Sequence, residues 1–185
     1  MTHARPTRKP PRPLDRGRLQ ELAIHYVGRF ATTRAKLASY LQRKLRERGW
    51  DGEHPPDLGT LVERLAELGY IDDAAFALGK ARSLGQRGYG ERRIDQALRQ
   101  AGIDDDDGVA ARSLASEGAV MAAVRFARRR RIGPFAIGLA DPKERDRALS
   151  AMLRAGHSFD LSRRLVNLSP DAGVDIDRLA QTLES

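Results

Sequence analysis

Arginine is the residue type in this sequence that most clearly indicates a chemical role. The 185 residues carry 33 lysines and arginines against 25 aspartates and glutamates, which gives a formal net charge of +8. A planar guanidinium group binds a phosphate or a carboxylate through two parallel hydrogen bonds, so the excess of arginine favours nucleic acid or an acidic protein surface as partner. We predict a binding surface that comprises Lys36, Arg43, Arg46, Arg82, Arg87, Arg92, Arg93, Arg99, Arg125, Arg128 and Arg129.

For any single residue of this set, an ordinary solvated helix face is the alternative, since amphipathic helices need polar exteriors. Arg82, Arg92 and Arg99, for example, lie opposite the apolar stripes of their predicted helices. Because every part of the chain contributes several such residues, the set as a whole favours a surface that faces a polyanion.

A glycine-rich segment at residues 85–90, GQRGYG, resembles a phosphate-binding loop. Such a loop follows a β-strand, and in the P-loop it continues into Gly-Lys-Ser or Gly-Lys-Thr. Here the preceding residues, KARSL, have a helical pattern and no such tripeptide follows. We therefore predict that one helix ends at Gly88 and that the next begins after Gly90, without a nucleotide site.

Other residue types that could perform chemistry have unsuitable spacing. The four aspartates at 104–107 lack the alternate spacing, the glycine and the final glutamate of a calcium loop, and they fit the start of a helix better. The four histidines have no metal-like spacing, and the chain has no cysteine. The sequence predicts no catalytic residue, no metal site and no cofactor, and hence a protein that is not an enzyme.

Apolar residues recur at helical spacing along most of the chain. Leu19, Leu22, Ala23, Tyr26 and Phe30 form the first such stripe, which predicts that all five face a core. No segment alternates with a period of two and an enrichment in β-branched residues, so the chain is predicted to be all-α.

Capping residues mark several of the helix starts. Thr32 or Thr33 suits the N-cap of the second helix, and Pro55 and Pro56 suit the first turn of the third. The segment DPKE at 141–144 predicts a capping box with proline at the first helical position.

Glycines mark the helix ends and reveal a repeat. Gly49, Gly69, Gly102 and Gly156 each follow an apolar residue by four positions and precede a large residue. This spacing predicts a Schellman motif at each glycine. Because Gly49, Gly102 and Gly156 are 53 and 54 residues apart, we infer repeated units. Gly133, which precedes a proline, is predicted to end a further helix.

The predicted fold is a tandem array of three-helix, helix-turn-helix-like repeats that is elongated and curved. A proline-rich basic arm precedes the array and is predicted to be disordered, because dense proline forbids a helix. The predicted boundaries are 1–17 for the arm, 18–70, 71–118 and 119–169 for the three repeats, and 170–185 for a weakly tethered C-terminal tail.

The N-terminus is basic but lacks the apolar region of a secretory signal, and no apolar run has the length of a membrane span. No dimerisation helix is evident. We therefore expect a cytoplasmic monomer without a membrane contact.

Residues 20–105 resemble the RecX family, bacterial regulators of the RecA recombinase. The resemblance rests on LGYIDD at 68–73, Phe76, ARS at 81–83, RGYGERRI at 87–94 and LRQAGI at 98–103, with TRAKL at 33–37 and LRERGWD at 45–51. It is specific because the segments are long and in order, and it weakens beyond residue 120. The family usually has charged residues where Ala74 and Ala75 stand here, so a contact made there by other members is expected to be absent.

The resemblance implies a tandem array of three-helix units and a role in homologous recombination, DNA repair and the SOS response. It implies that the partner is the filament of RecA on single-stranded DNA, with contact to single- or double-stranded DNA. Members lie in the filament groove, hinder ATP hydrolysis, strand exchange or filament extension, and need no cofactor. An alternative from the residues themselves is a sequence-specific helix-turn-helix protein that reads DNA with Glu91, Arg92, Arg93 and Gln96.

Overall fold

The computed structural model describes residues 12–171 and 175–184, which contain ten α-helices, one short 3-10 helix and no β-strand. The all-α prediction is therefore confirmed. The chain divides into two compact units, Met1–Asp72 and Asp73–Ser185, which we describe separately. The first eleven residues of the predicted arm lie outside the described residues.

The first unit contains three helices, α1 (Arg16–Arg29), α2 (Arg34–Arg48) and α3 (Leu58–Glu67). Side-chain oxygens of Asp15 and Thr33 accept backbone amide protons in the first turns of α1 and α2, as N-caps do. The core of this unit consists of Leu14, Leu19, Ala23, Leu37, Leu41, Val62, Leu65 and Ile71.

The chain before α1 is tied to the end of α2, so the predicted arm is wrong for residues 12–17. Leu14 is fully buried and pairs with Trp50 in an isolated bridge. Its N–H donates to the Gly49 carbonyl at 3.0 Å, and its carbonyl accepts from the Asp51 N–H at 2.8 Å. Gly49 therefore has φ 82° and ψ 172°, and the Schellman motif predicted there is wrong because the chain leaves α2 in the extended form that this bridge requires.

The prolines before α3 do not occupy its first turn, as the sequence had suggested. Asp57 is the N-cap, and its carboxylate accepts from the Thr60 amide at 3.0 Å and from the Thr60 hydroxyl at 2.6 Å. The first of these bonds gives a partner to a backbone amide of the first turn, and both stabilise that turn. The helix therefore begins at Leu58, after Pro55 and Pro56.

The second unit contains seven α-helices in the described residues, and α4 packs closely on α6 through small side chains such as Ala77, Ala81, Ala111 and Ala115. The helices are α4 (Asp73–Gln86), α5 (Glu91–Gln100), α6 (Asp105–Glu117), α7 (Ala119–Arg130), α8 (Pro142–Arg154), α9 (Phe159–Asn167) and α10 (Ile176–Glu184), with the 3-10 helix Gly133–Phe135 after α7.

Two clusters of buried residues form the core of this unit. One lies among α4, α5 and α6, and the other among α7, α8, α9 and α10. Tyr89, in the turn between α4 and α5, packs against both clusters. The second unit contains both clusters in one compact body. The repeat boundaries predicted at 70/71 and 118/119 therefore stay predictions.

Most of the predicted glycine stops are present. Gly69, Gly88, Gly102 and Gly156 all have positive φ. At Gly69, for example, the glycine amide donates to the Ala66 carbonyl at 2.8 Å, and the next amide, of Tyr70, returns to the Leu65 carbonyl at 2.9 Å. This is the hydrogen-bond pattern of a Schellman motif, in which glycine avoids the steric penalty of the left-handed conformation.

Helix α7 ends earlier than predicted, and on an arginine. Arg131, and not Gly133, follows the helix in the left-handed conformation, with φ 54° and ψ 51°. The Ile132 amide returns to the Ala127 carbonyl at 2.9 Å, and the Ile132 side chain is buried. Burial of Ile132 against the core thus sets the helix end, while Gly133 starts the short 3-10 helix.

The C-terminal helix α10 is packed and is not weakly tethered. Ala180 and Leu183 are buried, and Leu183 belongs to the core cluster of α7 to α9. The Arg164 guanidinium donates to the carbonyls of Leu183 at 2.9 Å and Thr182 at 2.8 Å, and these oxygens lie in the last turn of a helix, where a cation is favourable.

Candidate polyanion-binding surface

Two turns that are distant in sequence are joined by backbone hydrogen bonds in the second unit. They are residues 87–90, between α4 and α5, and residues 155–157, between α8 and α9, and we call them together the glycine clasp. The Gly90 amide donates to the Ala155 carbonyl at 2.9 Å. The Gly156 carbonyl lies so close to Gly90 that a Cβ atom there would collide with it. The turn between two helices that was predicted for this segment is present, since α4 ends at Gln86 and α5 begins at Glu91. Its glycines Gly88 and Gly90 serve close backbone packing.

His157 fills the centre of the clasp and is almost fully buried. Its Nε2 lies 3.1 Å from the Gly88 carbonyl oxygen, and because that oxygen only accepts, Nε2 carries the proton. The ring packs at a tilt on Phe126, with centroids 5.5 Å apart. The position of His157 therefore indicates a packing role.

Burial lowers the pKa of His157 below its usual 6.5, and the hydrogen bond to Gly88 opposes this only in part. The unfolded chain then binds more protons than the folded chain between the lowered pKa and 6.5. We expect the contribution of His157 to the free energy of unfolding to be fully present above pH 6.5. It should decrease as the pH drops through this window, with a slope of at most about 1.4 kcal/mol per pH unit. Urea unfolding at a series of pH values measures the slope, and the His157→Gln variant should flatten it; an equal slope in the variant would contradict the assignment.

Beside the clasp, two predicted site residues meet. The Arg129 guanidinium donates to the Arg87 carbonyl, and this bond joins α7 to the end of α4. The Arg129 group also lies over the Phe126 ring at 5.3 Å, and the Arg87 group over the Tyr89 ring at 5.4 Å. Aromatic rings therefore position both exposed guanidinium groups.

The outer surface of α5 carries three more of the predicted residues. Arg92, Arg93 and Arg99 are all exposed. Arg93 donates to the Gln96 side-chain oxygen at 2.9 Å, whereas Arg92 has no side-chain partner among residues 12–171 and 175–184. A shallow depression of about 460 Å³ on this surface is lined by Arg92, Asp95, Gln96, Arg99 and Gln100.

Two carboxylates of α5, Glu91 and Asp95, partly neutralise this surface. Asp95 pairs with Arg99, four residues along α5, and with Arg112 of α6 at 3.0 Å. The hydrogen bond from Arg99 lowers the pKa of Asp95 most, and the bond from Arg112 adds to it against the effect of partial burial. Because α5 holds three arginines against these two carboxylates, its surface retains one net positive charge.

Arg82 and Arg125 line the same groove, which has a volume of about 240 Å³. The groove runs among α4, α6 and α7 and has a mainly apolar floor that includes Leu114 and Met121. Both arginines are exposed and have no side-chain partner within the described part of the chain. The structure thus brings together two predicted residues that are 43 positions apart in the sequence.

The three predicted residues of the first unit lie on α2 and differ in exposure. Arg43 and Arg46 are exposed, whereas Lys36 is half-buried. Arg43 pairs loosely with Glu47 at 3.9 Å, and Lys44 pairs with the same carboxylate at 2.6 Å. The hydrogen bond from Lys44 is the main cause of the lowered pKa of Glu47.

Comparison with known proteins identifies the family. The model of the second three-helix domain of RecX matches residues 72–111, which hold α4, α5 and the first part of α6. The regulatory protein RecX of Myxococcus xanthus is 33% identical over 172 residues, 88% of this chain and 91% of that protein. The regulatory protein RecX of Thermobifida fusca is 34% identical over 166 residues, 86% of this chain and 83% of that protein.

The chain belongs to the RecX family of regulatory proteins.

Solved RecX structures agree with the fold. The crystal structure of RecX from Lactobacillus salivarius has a TM-score of 0.57 and 21% identity, over 91% of this chain and 96% of that one. A second crystal structure of a regulatory protein RecX has a TM-score of 0.58 and 20% identity, over 81% of this chain and 72% of that one. At this identity the likeness supports the helical fold alone.

One basic groove of the second unit was not predicted from the sequence. It has a volume of about 550 Å³, lies between the end of α7 and the start of α8, and includes the loop residues Ile137 and Leu139, which are 88% and 84% exposed. Arg130, Arg131, Arg145 and Arg147 line it. The run of arginines that ends at Arg131 is visible in the sequence. Nothing in the sequence, however, indicates that the arginines of α8 lie close to that run.

Among the described residues, no three histidine, cysteine, aspartate or glutamate side chains are grouped as metal ligands would be. In the same part of the chain, no helix combines the length and the apolar character that a bilayer span requires.

Proposed function

We propose that this RecX-family protein regulates the RecA recombinase, mainly as an inhibitor, by binding the filament of RecA on single-stranded DNA. It would lie in the filament groove as a cytoplasmic monomer, with its basic surfaces against DNA phosphates and acidic RecA surface. Contact with neighbouring RecA subunits would hinder the conformational cycle that accompanies ATP hydrolysis, and with it strand exchange or filament extension.

The observation that carries this proposal is the outer surface of α5, which lies inside the segment that matches the RecX family model. Three exposed arginines stand on it, and Asp95 offsets only part of their charge. Arg87 and Arg129, both exposed, add further positive charge at the clasp in the same unit.

The alternative of a sequence-specific reader receives less support. A recognition helix presents its N-terminal side chains freely to base edges. On α5 the Arg93 guanidinium is instead bonded to Gln96, so two of the four residues available for reading are engaged with each other.

The proposal is tested by measuring ATP hydrolysis by RecA on single-stranded DNA while this protein is titrated in. We expect hydrolysis to fall progressively, because the protein would occupy successive sites along the filament. Hydrolysis that stays constant at a several-fold molar excess over RecA would contradict the proposed function. Omitting the DNA provides the control, since the proposal requires the filament.

A further inference from the structure

Three aromatic rings lie together on the surface formed by α1 and α2 in the first unit. Tyr26 and Tyr40 are stacked, with centroids 4.2 Å apart and planes at 20°. Phe30 follows at 5.4 Å from Tyr26. It is the C-cap of α1 and 54% exposed, so the sequence-based prediction that it faces the core is wrong. Its extended backbone, with φ −134°, takes it out of the helical stripe.

Three positively charged side chains lie close to these rings. The Arg29 guanidinium lies 5.9 Å from the Phe30 centroid, and the side chains of Arg43 and Lys44 lie 5.6 and 5.9 Å from the Tyr40 centroid. Glu47 balances one of these charges through its pairs with Arg43 and Lys44. Arg29 has no carboxylate partner in the described chain. Two positive charges therefore remain beside an exposed ring face.

We propose that this aromatic cluster is a base-stacking subsite for single-stranded nucleic acid. A base would stack on the exposed part of the Phe30 ring, and Arg29 and Arg43 would contact the flanking phosphates. Only a ligand with both planar rings and negative charges uses the two features together: an acidic peptide would engage the cations and leave the exposed ring without a matching partner. Stacking on aromatic side chains inside a basic groove is the usual way in which proteins bind single strands.

The subsite favours a single strand over a duplex, because the bases of a duplex are already stacked on each other. The inference concerns direct contact with bases and does not depend on RecA, so it stands or falls separately from the proposed function.

The test compares two labelled oligonucleotides of equal length and charge, one of thymidine and one abasic, by fluorescence anisotropy without RecA. Stacking of one base contributes about fivefold or more to affinity. We expect the unaltered protein to bind the thymidine strand at least about fivefold more tightly than the abasic strand. Phe30→Leu should remove this preference, and Phe30→Trp should keep it.

Two further variants separate stacking from charge. Arg29→Ala should weaken binding of both strands equally, because the abasic strand keeps its phosphates. Phe159→Leu is the matched control: Phe159 is 48% exposed and has no cation over its ring within the described residues, so binding should not change. Thermal melting of each variant checks the fold. An equal affinity of the unaltered protein for both strands, or an unchanged preference in Phe30→Leu, would overturn the proposal.

Discussion

Replacing Gly156 by alanine is expected to destabilise the second unit by roughly 2–5 kcal/mol. Gly156 has φ 95°, which costs a residue with a Cβ atom about 1–2 kcal/mol. The added Cβ would also collide with the backbone amide of Arg93 across the clasp, and such overpacking costs about 1–3 kcal/mol. Urea unfolding followed by circular dichroism measures the loss.

Gly79→Ala is the matched control for this change. Gly79 lies inside α4, has no atom within 4 Å of its would-be Cβ, and has ordinary helical φ. The same substitution should there stabilise the protein by about 0.5–1 kcal/mol, since alanine is the better helix former. Equal effects of the two substitutions would mean that the close approach of the clasp turns does not exist in solution.

Reversing the charges of Arg92 and Arg99 to glutamate is expected to weaken binding to the RecA filament by about tenfold or more, or about 1.4 kcal/mol. Both side chains project from α5 into solvent, and Asp95 keeps Arg112 as its partner when Arg99 is changed. The fold should therefore survive, with a helix-pair penalty of only about 0.5 kcal/mol. Binding of the labelled filament, measured at several salt concentrations, should show a smaller salt slope in the variant as phosphate contacts are lost.

A double reversal of Arg64 and Arg178 changes the net charge by the same amount, and both residues are exposed and lie outside the predicted set. It should reduce affinity far less than the α5 variant. If both double variants lose affinity equally, binding depends on net charge alone; if neither does, the contact lies elsewhere than α5.

The sequence predicts the fold well where local patterns decide it. The capping box of α8 is present, with Asp141 and Glu144 bonded to each other's backbone amides, and Thr33 caps α2 as expected. Such contacts span three residues, so spacing alone reveals them. The Leu14 bridge to Trp50 was missed because it joins segments far apart in the chain, and no local period records such a pair.

The binding surface was predictable in its residue types but not in its arrangement. Helical periodicity places Arg82 and Arg125 outward, yet only the packing of α4, α6 and α7 sets them on one groove. Phe30 was assigned to the core because a helical stripe was extended one residue past the helix end. The contacts at a helix end decide which residue is the last helical one. A difference of one residue is enough to turn a side chain from the core to solvent.

The glycine clasp also bears on how the second unit folds. His157 and Gly88 are 69 residues apart, so their contact closes a long loop whose entropic cost must be met before the contact contributes. The helices on either side form from local contacts and can appear first. Interactions that form after the transition state act mainly on the rate of unfolding. The clasp would then govern how long the second unit stays folded more than how fast it folds.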